Sequence, residues 1–273
     1  MSKLPIIGIF DSGVGGLTVL KAIESQLPGF PLIYYGDTAN MPYGDKSPDL
    51  ICRLTRRIVR FLRDQGAEII VIACNSASAV AADVAVEEAG PGVSVVDVVQ
   101  PVVDHLAQRS DLRCIGLIGT RATIQSGIYQ EKLRRLRSDL EVRALATPLL
   151  APLVEEGFAG TPVAREVIRH YLKNDLFRPI QCLVPACTHY PFLYDDFNDF
   201  FWYKVEILNP PEIVARHVKR RLEVQHQLDL GLSHHLLPDQ TAIHLSMLTP
   251  GFMDLCHKFL NKKASIQETF LLN

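Results

Sequence analysis

Two segments of the chain resemble one another closely enough to indicate an internal duplication. Residues 68–76 read EIIVIACNS and residues 181–191 read QCLVPACTHYP, and an earlier pair at residues 6–13 and 114–121 repeats the pattern. In each cysteine-bearing segment an apolar run leads to Ala-Cys and then to small polar residues, which is typical of a buried strand that ends in a loop. The chain is therefore predicted to have two related halves, each contributing one thiol to a shared cleft.

Apolar runs alternate with amphipathic segments along the chain. Continuous Ile/Val runs that alternate with helical periodicity indicate parallel sheets covered by helices on both faces. Strands are predicted at residues 6–10, 32–35, 69–73, 93–96, 115–118, 142–145, 183–184, 205–208 and 243–248. Helices are predicted at residues 17–27, 48–65, 77–88, 101–108, 127–137, 162–174, 191–200, 212–225 and 251–260.

The fold class that follows is α/β, with two similar parallel-sheet domains in a pseudo-twofold relation and an active-site cleft between them. We place the first domain at residues 1–97 plus 211–273 and the second at residues 98–210. The tail returns to the first domain in this interpretation, because residues 243–248 resemble an added edge strand. Ligands of such sheets bind beyond the carboxyl ends of the strands. Polar loops are predicted at those ends at residues 11–13, 36–38, 74–76, 119–120 and 187–189.

Composition narrows the class of function. A net charge of -2 gives no electrostatic basis for binding nucleic acid or an anionic membrane. No apolar stretch approaches the ~18 residues of a membrane span, and the apolar run at residues 5–10 is too short for a signal peptide. The six cysteines lack CxxC spacing, which indicates reduced thiols in a cytoplasmic protein.

A glycine-rich loop, DSGVGG at residues 11–16, follows the first predicted strand. Its spacing fits neither the dinucleotide-binding fingerprint nor the P-loop, and an acid at its start repels phosphate. Asp11 suits a substrate ammonium or a neighbouring acid–base group, while the backbone N–H groups suit a carboxylate. The alternative is a tight turn whose glycines serve packing only. A second loop, at residues 35–44, offers N–H groups near Gly44 to a carboxylate. The alternative is that its Gly and Pro residues only shape an ordinary connecting loop.

Cys74 and Cys187 are the candidate acid–base groups. Each is expected at the end of a strand and the start of a helix, where the pKa of a thiol falls. A single cysteine is most often a small buried hydrophobic residue, and the repeated pair argues against that alternative. The remaining cysteines lie in apolar periodic segments and are predicted to be structural: Cys52, Cys114, Cys182 and Cys256.

His189 follows Cys187 by two residues and can pair with its thiolate or move a proton. A protease-like Cys–His pair would leave the second thiol unexplained. The spacing of these residues is not that of a zinc site, so no metal is expected. Glu155 is a candidate to polarise His189.

Four motifs occur in order along the chain: DSGVGG from Asp11, PYG from Pro42, ACNSA from Ala73 and CTHYP from Cys187. Together they resemble the cofactor-independent aspartate/glutamate racemases, and among these the glutamate racemases, over about residues 8–211. The resemblance implies interconversion of L- and D-glutamate in the cytoplasm, supplying D-glutamate for peptidoglycan, with glutamate as the small-molecule partner. It allows a homodimer.

The resemblance also implies roles for individual residues. Cys74 and Cys187 would be the two acid–base groups, with the first acting on D-glutamate and the second on L-glutamate. Asp11, His189 and Glu155 would assist them. Substrate-binding residues would be Asp11, Ser12, Pro42, Tyr43, Gly44, Asn75, Ser76, Thr120, Thr188 and His189. The chain departs from the common family pattern in having Ser at 76 for Thr and Pro-Ala at 185–186 for Leu-Gly.

The chemistry of inversion agrees with this assignment. Inverting an α-carbon requires a base on one face and an acid on the other. A pyridoxal route needs a Schiff-base lysine in the site. Among the predicted loops only Lys46 comes close, so we discount pyridoxal and expect no cofactor. The alternatives are a two-thiol racemase for another substrate, such as aspartate or a hydantoin, and a non-catalytic amino-acid-binding module with a two-lobed cleft.

Overall fold

The computed structural model describes residues 4–173, 175–226, 240–248, 252, 256 and 265–271. The strands in these ranges are β1 Ile6–Asp11, β2 Pro31–Gly36, β3 Ala67–Ile72, β4 Ser94–Asp97, β5 Cys114–Gly119, β6 Glu141–Ala146, β7 Cys182–Ala186, β8 Glu206–Ile207, β9 Gln240–Leu245 and β10 Ser265–Glu268. The α-helices are α1 Leu17–Gln26, α2 Pro48–Asp64, α3 Asn75–Ala89, α4 Val99–Ala107, α5 Arg121–Gln125, α6 Ile128–Leu136, α7 Leu150–Glu155, α8 Pro162–Leu172, α9 Tyr194–Phe200 and α10 Pro210–His226. Short 3-10 helices lie at Thr38–Asn40, Tyr43–Asp45, Asp175–Phe177 and Tyr190–Leu193.

The strands form two sheets in which every pairing is parallel. The strand order is β10-β9-β2-β1-β3-β4 in one sheet and β6-β5-β7-β8 in the other. The order β2-β1-β3-β4 is thus repeated as β6-β5-β7-β8, so the predicted α/β fold with two similar parallel sheets is confirmed. We call the first sheet with α1, α2, α3 and α10 the first lobe, and the second sheet with α4 to α9 the second lobe.

The tail of the chain extends the first sheet. β9 pairs with β2, and β10 pairs with the other side of β9. The predicted return of the tail as an added strand of the first sheet is therefore confirmed, at residues 240–245 rather than 243–248, but its edge position is wrong because β10 pairs with its other side. Of the helix predicted at residues 251–260, only Phe252 and Cys256 are described, and both are helical and buried.

Helices cover both faces of each sheet, as the sequence periodicity predicts. In the first lobe, α1 and α10 pack on one face, and α2 and α3 pack on the other. α2 is an example of this amphipathic packing. Ile51, Leu54 and Ile58 are buried against the sheet. Arg56 and Arg60 lie on the outer face, where they form ion pairs with glutamates of α3. In the second lobe, α4 and α6 pack opposite α7, α8 and α9. Among the described helices, none combines the length and the apolar character needed to cross a membrane.

The two lobes meet at the carboxyl ends of their central strands. In the first lobe Phe10 of β1 is in register with Ile72 of β3, and in the second Gly119 of β5 is in register with Ala186 of β7. The loops that follow these strands therefore emerge side by side in each lobe and face those of the other lobe.

Candidate active site

Cys74 is the N-cap residue of α3, two residues after the end of β3. Its side chain makes no capping hydrogen bond, and its Sγ lies 3.8 Å from the Ser12 Oγ. Burial, assisted by the Asp11 carboxylate, raises the pKa of Cys74 to about 12. The predicted lowering of this pKa by the helix N-terminus is therefore wrong, because desolvation of a buried thiolate outweighs the helix dipole.

Cys187 directly follows β7 and is also buried. A turn and the short 3-10 helix at Tyr190–Leu193 come after it, so the predicted helix start at this cysteine is not an α-helix N-terminus. The charged neighbour is instead His189, whose Nδ1 lies 3.6 Å from the Cys187 Sγ. The two thiols thus end corresponding strands of the two sheets in different surroundings.

His189 bridges Cys187 and Glu155. Its Nε2 lies 2.9 Å from the Glu155 Oε1 without hydrogen-bond alignment, so the contact is an ion pair. Burial alone would lower the pKa of His189, but its contacts with Cys187 and Glu155 outweigh burial and hold that pKa well above its ordinary value. Glu155 and Cys187 thus favour the charged form of the imidazole, which lies where it can stabilise negative charge on the Cys187 sulfur.

Asp11 organises the glycine-rich loop. Its Oδ2 accepts hydrogen bonds from the backbone N–H of Gly13 and Gly16, both at 3.0 Å, and its Oδ1 accepts one from the Thr188 Oγ1 at 3.3 Å. These two backbone donors are thus engaged by Asp11, which corrects the expectation that they bind a substrate carboxylate. Burial raises the pKa of Asp11, against the lowering effect of His189 and the backbone donors.

Gly15 of this loop and Gly44 of the loop after β2 let the two lobes approach. A Cβ placed on Gly15 would overlap the Thr188 Oγ1 and lie 2.7 Å from the His189 Nδ1. A Cβ placed on Gly44 would lie 2.8 Å from the Thr120 Cβ. Because each of these distances is shorter than van der Waals contact, the absence of a side chain at both positions is a packing requirement of the site.

The loop after β2 is held by Asp37. Its carboxylate accepts hydrogen bonds from the Tyr43 hydroxyl at 2.5 Å and from the Asn40 Nδ2 at 3.0 Å. Tyr43 and Gly44 are buried, whereas Pro42 is exposed. Gly44 thus lies against Thr120 of the other lobe, and Tyr43 is fixed on Asp37 next to it.

Side chains of the two lobes are joined by hydrogen bonds at the cleft. Ser76 Oγ lies 2.9 Å from Thr120 Oγ1, and the Tyr129 hydroxyl donates to Asn75 Oδ1 at 2.8 Å. Thr18 Oγ1 lies 3.2 Å from the Thr188 carbonyl oxygen, and at the rim an ion pair of 2.8 Å joins Arg121 and Asp45.

Among these interlobe residues, the sequence analysis does not single out Thr18, Asp45, Arg121 and Tyr129. In the sequence Tyr129 looks like an ordinary core residue of an amphipathic helix, so only the contact with the other lobe assigns it to the site. In the described part of the chain, no group of three His, Cys, Asp or Glu side chains is arranged to hold a metal ion.

Comparison with known proteins agrees with this geometry. The model of the Asp/Glu/Hydantoin racemase family matches residues 7–218. The glutamate racemase of Aquifex aeolicus is 41% identical over 213 residues, which are 78% of this chain and 82% of that protein. The glutamate racemase of Chlorobaculum parvum is 39% identical over 259 residues, which are 95% and 91% of the two chains.

Solved structures give the same result for the fold. The glutamate racemase of Francisella tularensis in complex with D-glutamate superposes with a TM-score of 0.88 at 29% identity, covering 100% of this chain and 98% of that one. The glutamate racemase of Thermus thermophilus in complex with beta-chloro-D-alanine has a TM-score of 0.84 at 37% identity and covers 98% of both chains. The chain therefore belongs to the Asp/Glu/Hydantoin racemase family.

Proposed function

We propose that this protein is a glutamate racemase that interconverts L- and D-glutamate with Cys74 and Cys187 as its two acid–base groups. The observation that carries the proposal is that the two thiols follow corresponding strands, β3 and β7, of two facing sheets. Each thiol has its own ionisable neighbour, Asp11 for Cys74 and His189 for Cys187. A base and an acid on opposite faces of one carbon are what racemisation requires.

The charges around the two thiols suggest how the reaction runs from L-glutamate. A thiolate at Cys187, paired with the His189 imidazolium, removes the α-proton from one face. The thiol of Cys74 gives its proton to the opposite face, which yields D-glutamate, a thiol at Cys187 and a thiolate at Cys74. The reverse reaction exchanges these roles. Glu155 assists by keeping His189 positively charged.

Negative charge that develops at the α-carbon is delocalised into the neighbouring carboxylate, which needs hydrogen-bond donors. The N-terminus of α3 supplies backbone N–H groups that the Cys74 side chain leaves uncapped. We assign further donors to side chains of Asn75, Ser76 and Thr120, which come from both lobes. In a cleft shielded from water such donors stabilise the transition state strongly.

The assignment of the substrate rests on the similar proteins, and the assignment of the cellular compartment rests on the sequence. Glutamate is favoured because the similar proteins named above are glutamate racemases and one was solved with D-glutamate. We further propose that the protein works in the cytoplasm and supplies D-glutamate for peptidoglycan, in agreement with its free cysteines. A homodimer, which the resemblance allows, is tested by sedimentation velocity.

A substrate panel tests the proposed function. Circular dichroism would follow L-glutamate, D-glutamate, L-aspartate and a hydantoin with pure protein and no added cofactor. The expected result is loss of the signal from either enantiomer of glutamate and no change with the other compounds. Turnover of aspartate or of the hydantoin instead would identify a different two-thiol racemase. Binding of glutamate without turnover would leave an amino-acid-binding module.

A further inference from the structure

The hydroxyl of Tyr129 reaches from the second lobe to a side chain of the first. Tyr129 is the second residue of α6, which begins after Gly127 in the left-handed region at φ 66°. Its ring is fully buried, and its hydroxyl donates to Asn75 Oδ1 at 2.8 Å. Asn75 is the first residue of α3 and directly follows Cys74. A second-lobe residue thus contacts the side chain next to a proposed catalytic thiol.

This hydrogen bond determines which end of the Asn75 amide faces the cleft. A primary amide has an acceptor oxygen and a donor NH₂ group on opposite sides. The Tyr129 hydroxyl donates to Asn75 Oδ1. In the part of the chain that the structure describes, no side chain or backbone group accepts a hydrogen bond from Asn75 Nδ2. Burial keeps the pKa of Tyr129 above its ordinary value, so its hydroxyl remains a donor.

We propose that Tyr129 is a positioning residue, which holds the Asn75 amide so that its NH₂ group donates to a carboxylate of the substrate. The inference rests on the proposed function, because glutamate supplies that carboxylate. Asn75 is the first residue of α3, whose N-terminus has no side-chain cap, so the amide and the backbone N–H groups of this turn would act on the same anion. Because the bond spans the two lobes, the donor is oriented only when the lobes are together.

The alternative is that Tyr129 merely satisfies a buried polar pair and contributes to folding. A double-mutant cycle separates the two roles, because a residue that acts through Asn75 has no effect once Asn75 is truncated. The variants are Tyr129→Phe, Asn75→Ala and their combination. Tyr194→Phe is the matched control, since the Tyr194 hydroxyl is buried in the same lobe and has no hydrogen-bond partner among the described residues.

Kinetics with both enantiomers and thermal unfolding would be measured for each variant. Tyr129→Phe is expected to raise KM about tenfold and to change kcat less than about threefold, because it weakens binding of a carboxylate rather than proton transfer. The inhibition constant of glutarate, a dicarboxylate without an ammonium group, should rise by the same factor. Asn75→Ala should raise KM at least as much, the double variant no further, and Tyr194→Phe should match the wild type.

Three results would overturn the inference while wild-type racemisation stands. These are an unchanged KM in Tyr129→Phe, an equal further rise of KM in the Asn75→Ala background, and a wild-type KM in Asn75→Ala. The last remains decisive even if Tyr129→Phe does not fold. Absence of glutamate racemisation in the wild type would instead contradict the proposed function, so the two failures are distinguishable.

Discussion

The two thiols are alike in sequence context but differ in their electrostatic surroundings. Burial, assisted by the Asp11 carboxylate, raises the pKa of Cys74 to about 12. Cys187 lies beside the His189 imidazolium, which Glu155 keeps positively charged. This arrangement favours a neutral thiol at Cys74 and places a positive charge beside Cys187, which suits a reaction that begins from L-glutamate.

Glu155→Gln tests this electrostatic arrangement. Because Glu155 raises the pKa of His189, its removal should let that pKa fall. Activity that needs the imidazolium should then decline at a lower pH, so the basic limb of the pH profile should shift to lower pH than in the wild type. We expect kcat/KM to fall about tenfold or more. The factor should be equal for both enantiomers, since they have the same free energy. The measurement is a pH profile of kcat/KM in both directions.

The matched control for this prediction is Glu156→Gln, which removes an exposed carboxylate from the next residue. It should leave the profile unchanged. A basic limb at the wild-type position in Glu155→Gln would contradict the role of Glu155.

At the level of elements, the sequence predicts best what depends on local patterns. The run at residues 69–72 is continuous in Ile and Val and forms β3. β10 has only one apolar residue among its four, so no local sequence pattern predicts that it is a strand paired with β9. α5 has five residues, too few for helical periodicity, and α7 carries Pro152 in its first turn. These elements depend on tertiary contacts.

The residues of the candidate site likewise divide into those that local sequence patterns predict and those that depend on tertiary contacts. Cys74, Cys187, Asp11 and Asn75 could be located in advance because the carboxyl ends of parallel strands meet at one edge of a sheet. Tyr129 could not, because its part in the site arises from contact between lobes. The capture of the Gly13 and Gly16 N–H groups by Asp11 is likewise a matter of side-chain direction, which spacing does not encode.

Tyr43→Phe tests how the loop after β2 is held. It removes the donor that Asp37 binds at 2.5 Å and leaves a buried carboxylate short of a hydrogen bond. We expect the free energy of unfolding to fall by about 1–3 kcal/mol, measured by urea denaturation. The control is Tyr203→Phe, because the Tyr203 hydroxyl meets Asp199 at 3.4 Å on the exposed surface. Equal, small losses in both variants would contradict the account.

At the level of the whole molecule, duplication explains why the site has two thiols. The repeated strand order places β3 and β7 at equivalent positions in the two sheets, and each is followed by a cysteine at the end where the lobes meet. We infer that the domains divide as residues 1–97 plus 211–273 and residues 98–210, and that they separate to release product. The interlobe contacts of Asn75 and Ser76 would then break and re-form in each turnover.

The most direct test of the two-thiol mechanism is α-deuterium incorporation and optical rotation in D₂O, starting from each enantiomer. The wild type and Cys52→Ser, which removes a half-buried cysteine of α2, should racemise glutamate as deuterium enters. Cys74→Ser and Cys187→Ser should each lose racemisation by at least about a hundredfold, while Cys74→Ser still exchanges the α-proton of L-glutamate through its remaining thiol. Wild-type racemisation in either variant, or racemisation without deuterium entry, would contradict the mechanism.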